Sequence, residues 1–318
     1  MNKETKILMY GDLDKLKSLM DSHFLDQLTL VSDYQTQEPK TIKELNEYVS
    51  AGGYTHVLVP DEHFHKLEGS LKNCIVPIIE LLGDHWIPWA IKRKREYMKE
   101  NGIKNAIVFS KRFQKPYKNT AGLETVLFGY KDSEFYNKNK DRDIDVLIHG
   151  SLGEDTYKWV YPVRNWLAEI LPEIGVKEGI NIVYWKHPGY DRIEGNQKNF
   201  LEDYSNILNK SKIAIGGSSH WRLPLKKFYE ATACGAILLS DLPLEDKEFF
   251  ENRILEIKPE KITKKEYAED VRKMITETLL NYDKLKIDLN PFRAEQDRFN
   301  KSYKGRALDI RKIVSRIH

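Results

Sequence analysis

Residues 229–241 read YEATACGAILLSD, and the run falls into two halves. Tyr229 to Cys234 carries the small side chains of a closely packed helix, whereas Ala236 to Leu239 is a continuous apolar run of strand type. Gly235 stands between them. A helix that stops at a glycine and re-enters a sheet almost at once belongs to a wound α/β layer. Glu230 is the odd member, because a carboxylate in a tightly packed region is costly unless something hydrogen-bonds to it.

The same alternation of short apolar runs and amphipathic stretches extends in both directions, which predicts parallel sheets covered by helices. In the first half, strands are expected at 6–10, 56–60, 74–79, 106–110 and 124–129. Helices are expected from Asp12, over "TIKELNEYVS" with Thr41 as cap and Glu44 three residues later, and through "WAIKRKREYMKENG" to Gly102. The polar, charge-rich stretch 130–143, "YKDSEFYNKNKDRD", lacks either periodicity and reads as a solvated linker. Beyond it, strands are expected at 144–150, 181–185, 212–217 and 236–240. The helices between them are "YPVRNWLAEILPEI", "NFLEDYSNILNKS" and Lys227 to Cys234. The expected organisation is an N-terminal domain at 1–130, a linker at 131–143 and a C-terminal domain at 144–294. A terminal amphipathic segment, 295–318, is long enough to leave its own domain and pack on the first.

A chain of 318 residues has room for two cores. Its 51 basic and 48 acidic residues leave a formal charge of +3, which gives no positive support for duplex nucleic acid as partner. Cys74 and Cys234 lie in apolar settings, so a disulfide framework is not expected and a reducing, cytoplasmic compartment is. The apolar run before Gly11 is too short for a signal-peptide core, and no run approaches the ~20 residues that span a bilayer.

Ligands of open parallel sheets gather at the carboxyl ends of strands, so the residues after each strand are the candidates. In the first domain these are Gly11 with Asp12, more simply a turn and a helix cap, and Asp84 with His85, candidates for a general base. In the second, Gly150, Ser151 and Gly153 can turn backbone amides toward an anion, with Lys158 or Arg164 supplying positive charge to a diphosphate. His187 lies in a tight turn, "WKHPGY", whose backbone could flank a nucleotide base. The loop "GGSSHWR" brings Gly217, Ser218, Ser219, His220 and Arg222 ahead of Lys226 and Lys227. There glycines, donors and cations converge before one helix, which favours phosphate or sugar contact. No metal site is expected. "DRDID" at 141–145 is a charged start to a strand, and His63 and His65 lack the further ligands of a tetrahedral set. The chain lacks a Gly-x-Gly-x-x-Gly after its first strand, a Gly-Lys-Ser/Thr phosphate loop and a Gly-x-Ser-x-Gly elbow.

The segment "LKKFYEATACGAILLSD" resembles the donor site of GT-B glycosyltransferases of the "glycosyl transferases group 1" type and its spore-protein-associated branch. Lys227, Phe228 or Tyr229, Glu230, Ala233, Cys234 and Gly235 occupy the matching positions. "VLFGYKDSEFY", "DVLIHGS" and the terminal "KGRALDIRKIV" resemble other family segments, in the family's order. The resemblance implies two Rossmann-like parallel-sheet domains facing across a cleft. It also implies metal-independent transfer of a sugar from a nucleotide-sugar to an acceptor hydroxyl, with no further cofactor. Glu230 would hold the ribose hydroxyls, and Lys227, with Lys226, would neutralise the leaving diphosphate. Many retaining members carry a second Glu eight positions before the first, where this chain has Arg222. The alternatives are an inert glycosyltransferase-like protein that binds a nucleotide or glycan, an epimerase or phosphorylase of the same fold, and a transferase acting on hydroxymethylated DNA bases. A monomer or weak dimer is expected.

Overall fold

The computed structural model describes residues 4–10, 33–34, 39–60, 67–82, 88–117, 120, 122–153, 155–186 and 197–317. It divides into two compact units, Met1–Phe128 with Tyr303–His318, and Gly129–Ser302. The helix expected at Asp12 and the histidines at 63 and 65 lie outside the described residues.

The first unit is built on β1 (Ile7–Met9), β2 (Asp33–Tyr34), β3 (His56–Pro60), β4 (Ile78–Leu82), β5 (Asn105–Val108) and β6 (Gly122–Thr125). They form one sheet in the order β2-β1-β3-β4-β5-β6, with every pairing parallel. Helix α1 (Ile42–Gly52) begins at Thr41, whose hydroxyl accepts the Glu44 N–H, and the Glu44 carboxylate in turn accepts the Lys40 N–H at 2.6 Å. Helix α2 (Pro88–Glu100) precedes β5. Strand β4 starts later than the apolar run 74–79 suggests. Leu71–Asn73 is a 3-10 turn capped by Ser70, and Pro77 has no N–H to give to a ladder, so pairing starts at Ile78 and continues to Leu82.

The second unit carries β7 (Ile144–Gly150), β8 (Ile182–Lys186), β9 (Ser211–Ile215), β10 (Ile237–Ser240) and β11 (Leu255–Glu256), in the order β11-β10-β9-β7-β8, again all parallel. Its helices are α3 (Asp155–Val160), α4 (Pro162–Glu178), α5 (Gln197–Asn209), α6 (Lys226–Ala233), α7 (Lys247–Phe250), α8 (Tyr267–Leu280), α9 (Tyr282–Asp288) and α10 (Glu295–Lys301). Alternate side chains of each strand serve opposite faces. Val146, Ile148, Ile213 and Ile215 pack with Val163 and Leu167 of α4 and Val271 and Ile275 of α8. Leu147, Ala214 and Leu238 pack with Leu201 and Tyr204 of α5 and Phe228 and Tyr229 of α6. The chain leaves β7 for β8 on one side and returns to β9 on the other. The carboxyl ends of β7 and β9 therefore flank a topological switch point, where such sheets open a crevice.

The terminal segment is two helices, α10 and α11 (Tyr303–Val314), parted at Ser302, where the backbone turns extended. Ala307, Ile310, Ile313 and Val314 of α11 join the core of the first unit beside Ile7, Leu58 and Ile107. The Arg311 guanidinium donates to Thr5 O, and His56 Nε2 lies 2.9 Å from Ile317 O.

Stretch 131–143 has no helix or strand, yet it is not the solvated tether its composition suggests. Phe135 is buried in the second core, the Ser205 hydroxyl donates to Glu134 O, and the Lys138 N–H donates to the Asn209 side chain. Arg142 does most to fasten it. Its guanidinium donates to Leu208 O at 3.2 Å and Cys234 O at 2.6 Å, carbonyls at the ends of α5 and α6, and to Ser211 O at the start of β9. A cation at two helix C-termini also meets the negative end of each macrodipole. Arg142→Ala is expected to cost about 2 kcal/mol, read as a lower urea midpoint with unchanged slope; an unchanged midpoint would show that water replaces the guanidinium at no cost.

Candidate functional site

The site is assembled where β7 and β9 end. Gly150 closes β7 at φ +98°, and a Cβ there would lie 2.9 Å from Arg164 Nη1 and 3.3 Å from Lys227 Cε. Gly217, two residues beyond β9, sits at φ +138°, where a Cβ would lie 2.8 Å from Arg164 Cβ. Both positions need glycine for conformation and for space. The two loops thereby close on the first turn of α4.

Arg164 is 1% exposed. Its Nε and Nη2 donate to the carbonyls of Gly216 and Gly217 at 3.4 and 3.3 Å, and Tyr161 lies under its guanidinium at 4.3 Å. Burial holds its pKa below the ordinary value, while Tyr161, Tyr204 and Asp241 oppose that through space. Among the described residues no carboxylate forms an ion pair with it. A buried cation whose hydrogen bonds go to neutral carbonyls and whose face meets a ring, with Asp241 acting only through space, is suited to an anion supplied from outside.

Lys227, in the first turn of α6, stands beside it, with Nζ 4.9 Å from the centre of the Tyr204 ring. Burial lowers its pKa to about 8, Glu230 opposes the shift, and Arg164 and Lys226 add to it. Glu230 follows one turn later and is 5% exposed. Burial raises its pKa, and the positive charges of Lys227 and Lys226 together with the Tyr204 hydroxyl hold it down. Neither carboxyl oxygen of Glu230 is among the buried, unpartnered atoms. Tyr204, from α5, also meets Nδ1 of the fully buried His149 at 3.0 Å. Burial, with Lys227 and Arg164 nearby, pushes His149 well below the ordinary histidine range, so its ring is neutral.

The rest of the loop after β9 is braced from β10. Buried Asp241 accepts the Ser218 N–H at 2.9 Å and the Ser218 hydroxyl, and burial raises its pKa against those two bonds. Arg222 takes a left-handed backbone, φ +57°, donates to Leu242 O and lies 3.9 Å from Asp241. The Ser219 hydroxyl is buried with no hydrogen-bond partner. His220 is exposed and stacks on Trp159 of α3 with centroids 5.0 Å apart, and its N–H donates to Val160 O at 2.7 Å. The Gly153 N–H donates to the Asn165 side chain at 2.9 Å, and Ser151 is half-buried beside it in sequence.

Of the residues expected from sequence, the structure brings together Gly150, Arg164, Gly217, Lys226, Lys227 and Glu230. Ser218 and Arg222 are committed to Asp241 and Leu242, as braces of the loop. Lys158 is exposed on α3, with no described contact to the Arg164 and Lys227 group. Asp84, His85 and His187 lie outside the described residues. Sequence reasoning passed over His149, Tyr204 and Asp241. The usable signals were a lone histidine inside the apolar run of β7 and a carboxylate ending "AILLSD"; nothing local distinguishes Tyr204.

Chemically, the site offers two buried cations with a third nearby, glycine-rich backbone, and one buried carboxylate. That set suits a ligand joining a dianion to a polyol. No helix among the described residues is long and apolar enough to cross a membrane, and no group of three or more metal-ligating side chains occurs among them.

No family model and no curated protein matches the sequence. Solved structures do match the fold. HepE from Anabaena, solved in complex with UDP and glucose, aligns over 99% of this chain and 100% of its own, with TM-score 0.57 and 12% identity. Its complex with UDP-glucose aligns equally far with TM-score 0.56. AviGT4, a glycosyltransferase involved in avilamycin A biosynthesis, aligns over 98% of both chains with TM-score 0.50 and 8% identity. The GtfA/B complex aligns over 87% of this chain with TM-score 0.50 and 11% identity, and this chain spans 61% of the length of that one. With two all-parallel α/β units of Rossmann type, the chain has the GT-B glycosyltransferase fold.

Proposed function

We propose that the chain is a glycosyltransferase whose second unit holds a nucleoside-diphosphate sugar and passes the sugar to an acceptor hydroxyl. The observation that carries this reading is the convergence of Arg164, Lys227 and Glu230 at the switch point between β7 and β9. In transfer, the bond from the anomeric carbon to the β-phosphate oxygen breaks, the acceptor oxygen bonds to that carbon, and its proton passes to a base. Negative charge grows on the departing diphosphate. Fixed cations in a site of low dielectric stabilise that growing charge without reorganising. Glu230 takes the ribose hydroxyls, which are neutral donors suited to a carboxylate. Asp84 or His85 is proposed to take the acceptor's proton. UDP-glucose is the first donor to test, because HepE binds it within the same fold.

Since Lys227 and Arg164 already supply charge to the diphosphate, we propose that no divalent cation is required. The test is release of nucleoside diphosphate from UDP-glucose, GDP-mannose and dTDP-glucose, with and without EDTA. Release from at least one donor that EDTA leaves unchanged is expected. Abolition by EDTA would refute metal independence; absence of release from every donor would refute the transferase reading. Arg222, standing where the resemblance places a second Glu, favours one alternative, a nucleotide-binding protein without turnover. Binding of UDP-glucose without release would identify it.

A further inference from the structure

We infer that Tyr204 is the positioning residue of this donor site: its hydroxyl links the His149 ring to the Glu230 carboxylate while its ring face supports the Lys227 ammonium. The inference rests on the proposed reading of Glu230 as the ribose ligand and deepens it.

Tyr204 is 2% exposed, and its ring is held on several sides. Trp185 of β8 stacks on it with centroids 5.0 Å apart and planes 22° apart, and Phe200 of α5 lies nearly parallel at 6.3 Å. Phe135, from stretch 131–143, meets it edge-on at 5.6 Å and 71°. A ring so enclosed has one position for its hydroxyl, as aromatic pairs fix geometry as well as bury area. That hydroxyl lies 3.0 Å from His149 Nδ1, at the end of β7, and also interacts with Glu230 in α6. The same ring holds Lys227 Nζ at 4.9 Å, within range of a cation over an aromatic face.

A phenol has one proton to donate. When it goes to the Glu230 carboxylate, His149 Nδ1–H donates to the phenol oxygen, and the chain of bonds runs from β7 through α5 to α6. This orients the carboxylate before any ligand arrives, which lowers the ordering cost of binding. Tyr204 is not proposed to touch the donor.

The test titrates UDP, GDP, ADP and CDP, each against its 2′-deoxy counterpart, into the native chain, Glu230→Ala and Tyr204→Phe. The phenylalanine keeps the enclosed ring and its face toward Lys227 and removes only the hydroxyl. For the native chain, the best-bound ribonucleotide is expected to bind about tenfold tighter than its deoxy form. In Glu230→Ala and in Tyr204→Phe, that ratio is expected to fall to about threefold or less, with diphosphate binding retained in Tyr204→Phe. A merely structural role would weaken both nucleotides alike and leave the ratio intact. A ratio lost in Glu230→Ala but kept in Tyr204→Phe would overturn the inference and leave the ribose reading standing. A ratio kept in Glu230→Ala, or no nucleotide bound by the native chain, would instead remove the ribose reading, and the inference with it. If Tyr204→Phe is too unstable to titrate, His149→Leu combined with Tyr204→Phe replaces it in the same comparison, since removing both partners of a buried hydrogen bond costs far less than removing one.

Discussion

Glu230→Ala is expected to weaken nucleoside-diphosphate binding at least about 100-fold. Each hydrogen bond to a charged acceptor contributes roughly 1.5–3 kcal/mol, and two ribose hydroxyls on one carboxylate reach about 3–6 kcal/mol, whereas 1.4 kcal/mol is tenfold in affinity. A second effect runs in the same direction. The Glu230 carboxylate raises the pKa of Lys227, so its removal lets burial and the Arg164 and Lys226 charges drive the ammonium further toward neutrality. The diphosphate then loses part of its counter-charge as well. Glu230→Gln separates the two contributions, because its amide oxygen still accepts from ribose while its charge is gone. A loss of about tenfold is expected for it by titration calorimetry, and native affinity in Glu230→Ala would exclude the residue from the donor site.

Lys227→Met is expected to reduce kcat/KM about 100- to 1,000-fold, the range typical of removing one preorganised donor to charge that develops in a transition state. Methionine keeps the length of the side chain and its contact with the Tyr204 face, so the loss reports on charge. The pH dependence gives the sign independently. The Lys227 ammonium loses its proton near pH 8 in the folded chain, below its ordinary value of 10.5. A bound diphosphate raises that pKa, so binding takes up protons around and above pH 8, and affinity falls as pH rises through this window. Folding has the opposite sign. The unfolded chain keeps the proton to higher pH, so the cost of burying this charge is present in full below about pH 8 and disappears as pH rises toward 10.5. Calorimetric titration of UDP at pH 7 and pH 9 should show weaker binding at pH 9 for the native chain and no such change for Lys227→Met. A flat native profile would mean that Lys227 does not face the ligand.

What could be read from the sequence follows from how local each signal is. Glu230 announced itself as a carboxylate among small residues, and Gly150, Gly217, Lys227 and Arg164 were found because strand exits can be located from apolar runs alone. Tyr204 was hidden. It occupies an ordinary inward position of an amphipathic helix, and its partners His149 and Glu230 are 55 and 26 residues away. Arg142 was hidden for a similar reason: in a polar run nothing shows that carbonyls at Leu208 and Cys234 will need a donor. Composition misled about Phe135 in the same run, because one buried aromatic among charges leaves no periodic trace. Strands β2 and β11 have two residues each, too short for any period, and the sheet supplies them by pairing with β1 and β10.

The proposed transfer requires a nucleotide lying across the ends of β7 and β9 with its ribose at Glu230. A thermal-shift screen of UDP, GDP, ADP and CDP against the native chain and Glu230→Ala reads this most directly, since a ligand raises stability in step with its affinity. At least one of the four should raise the native melting temperature and leave that of Glu230→Ala nearly unmoved. Equal shifts in the two proteins, or none in the native chain, would contradict it.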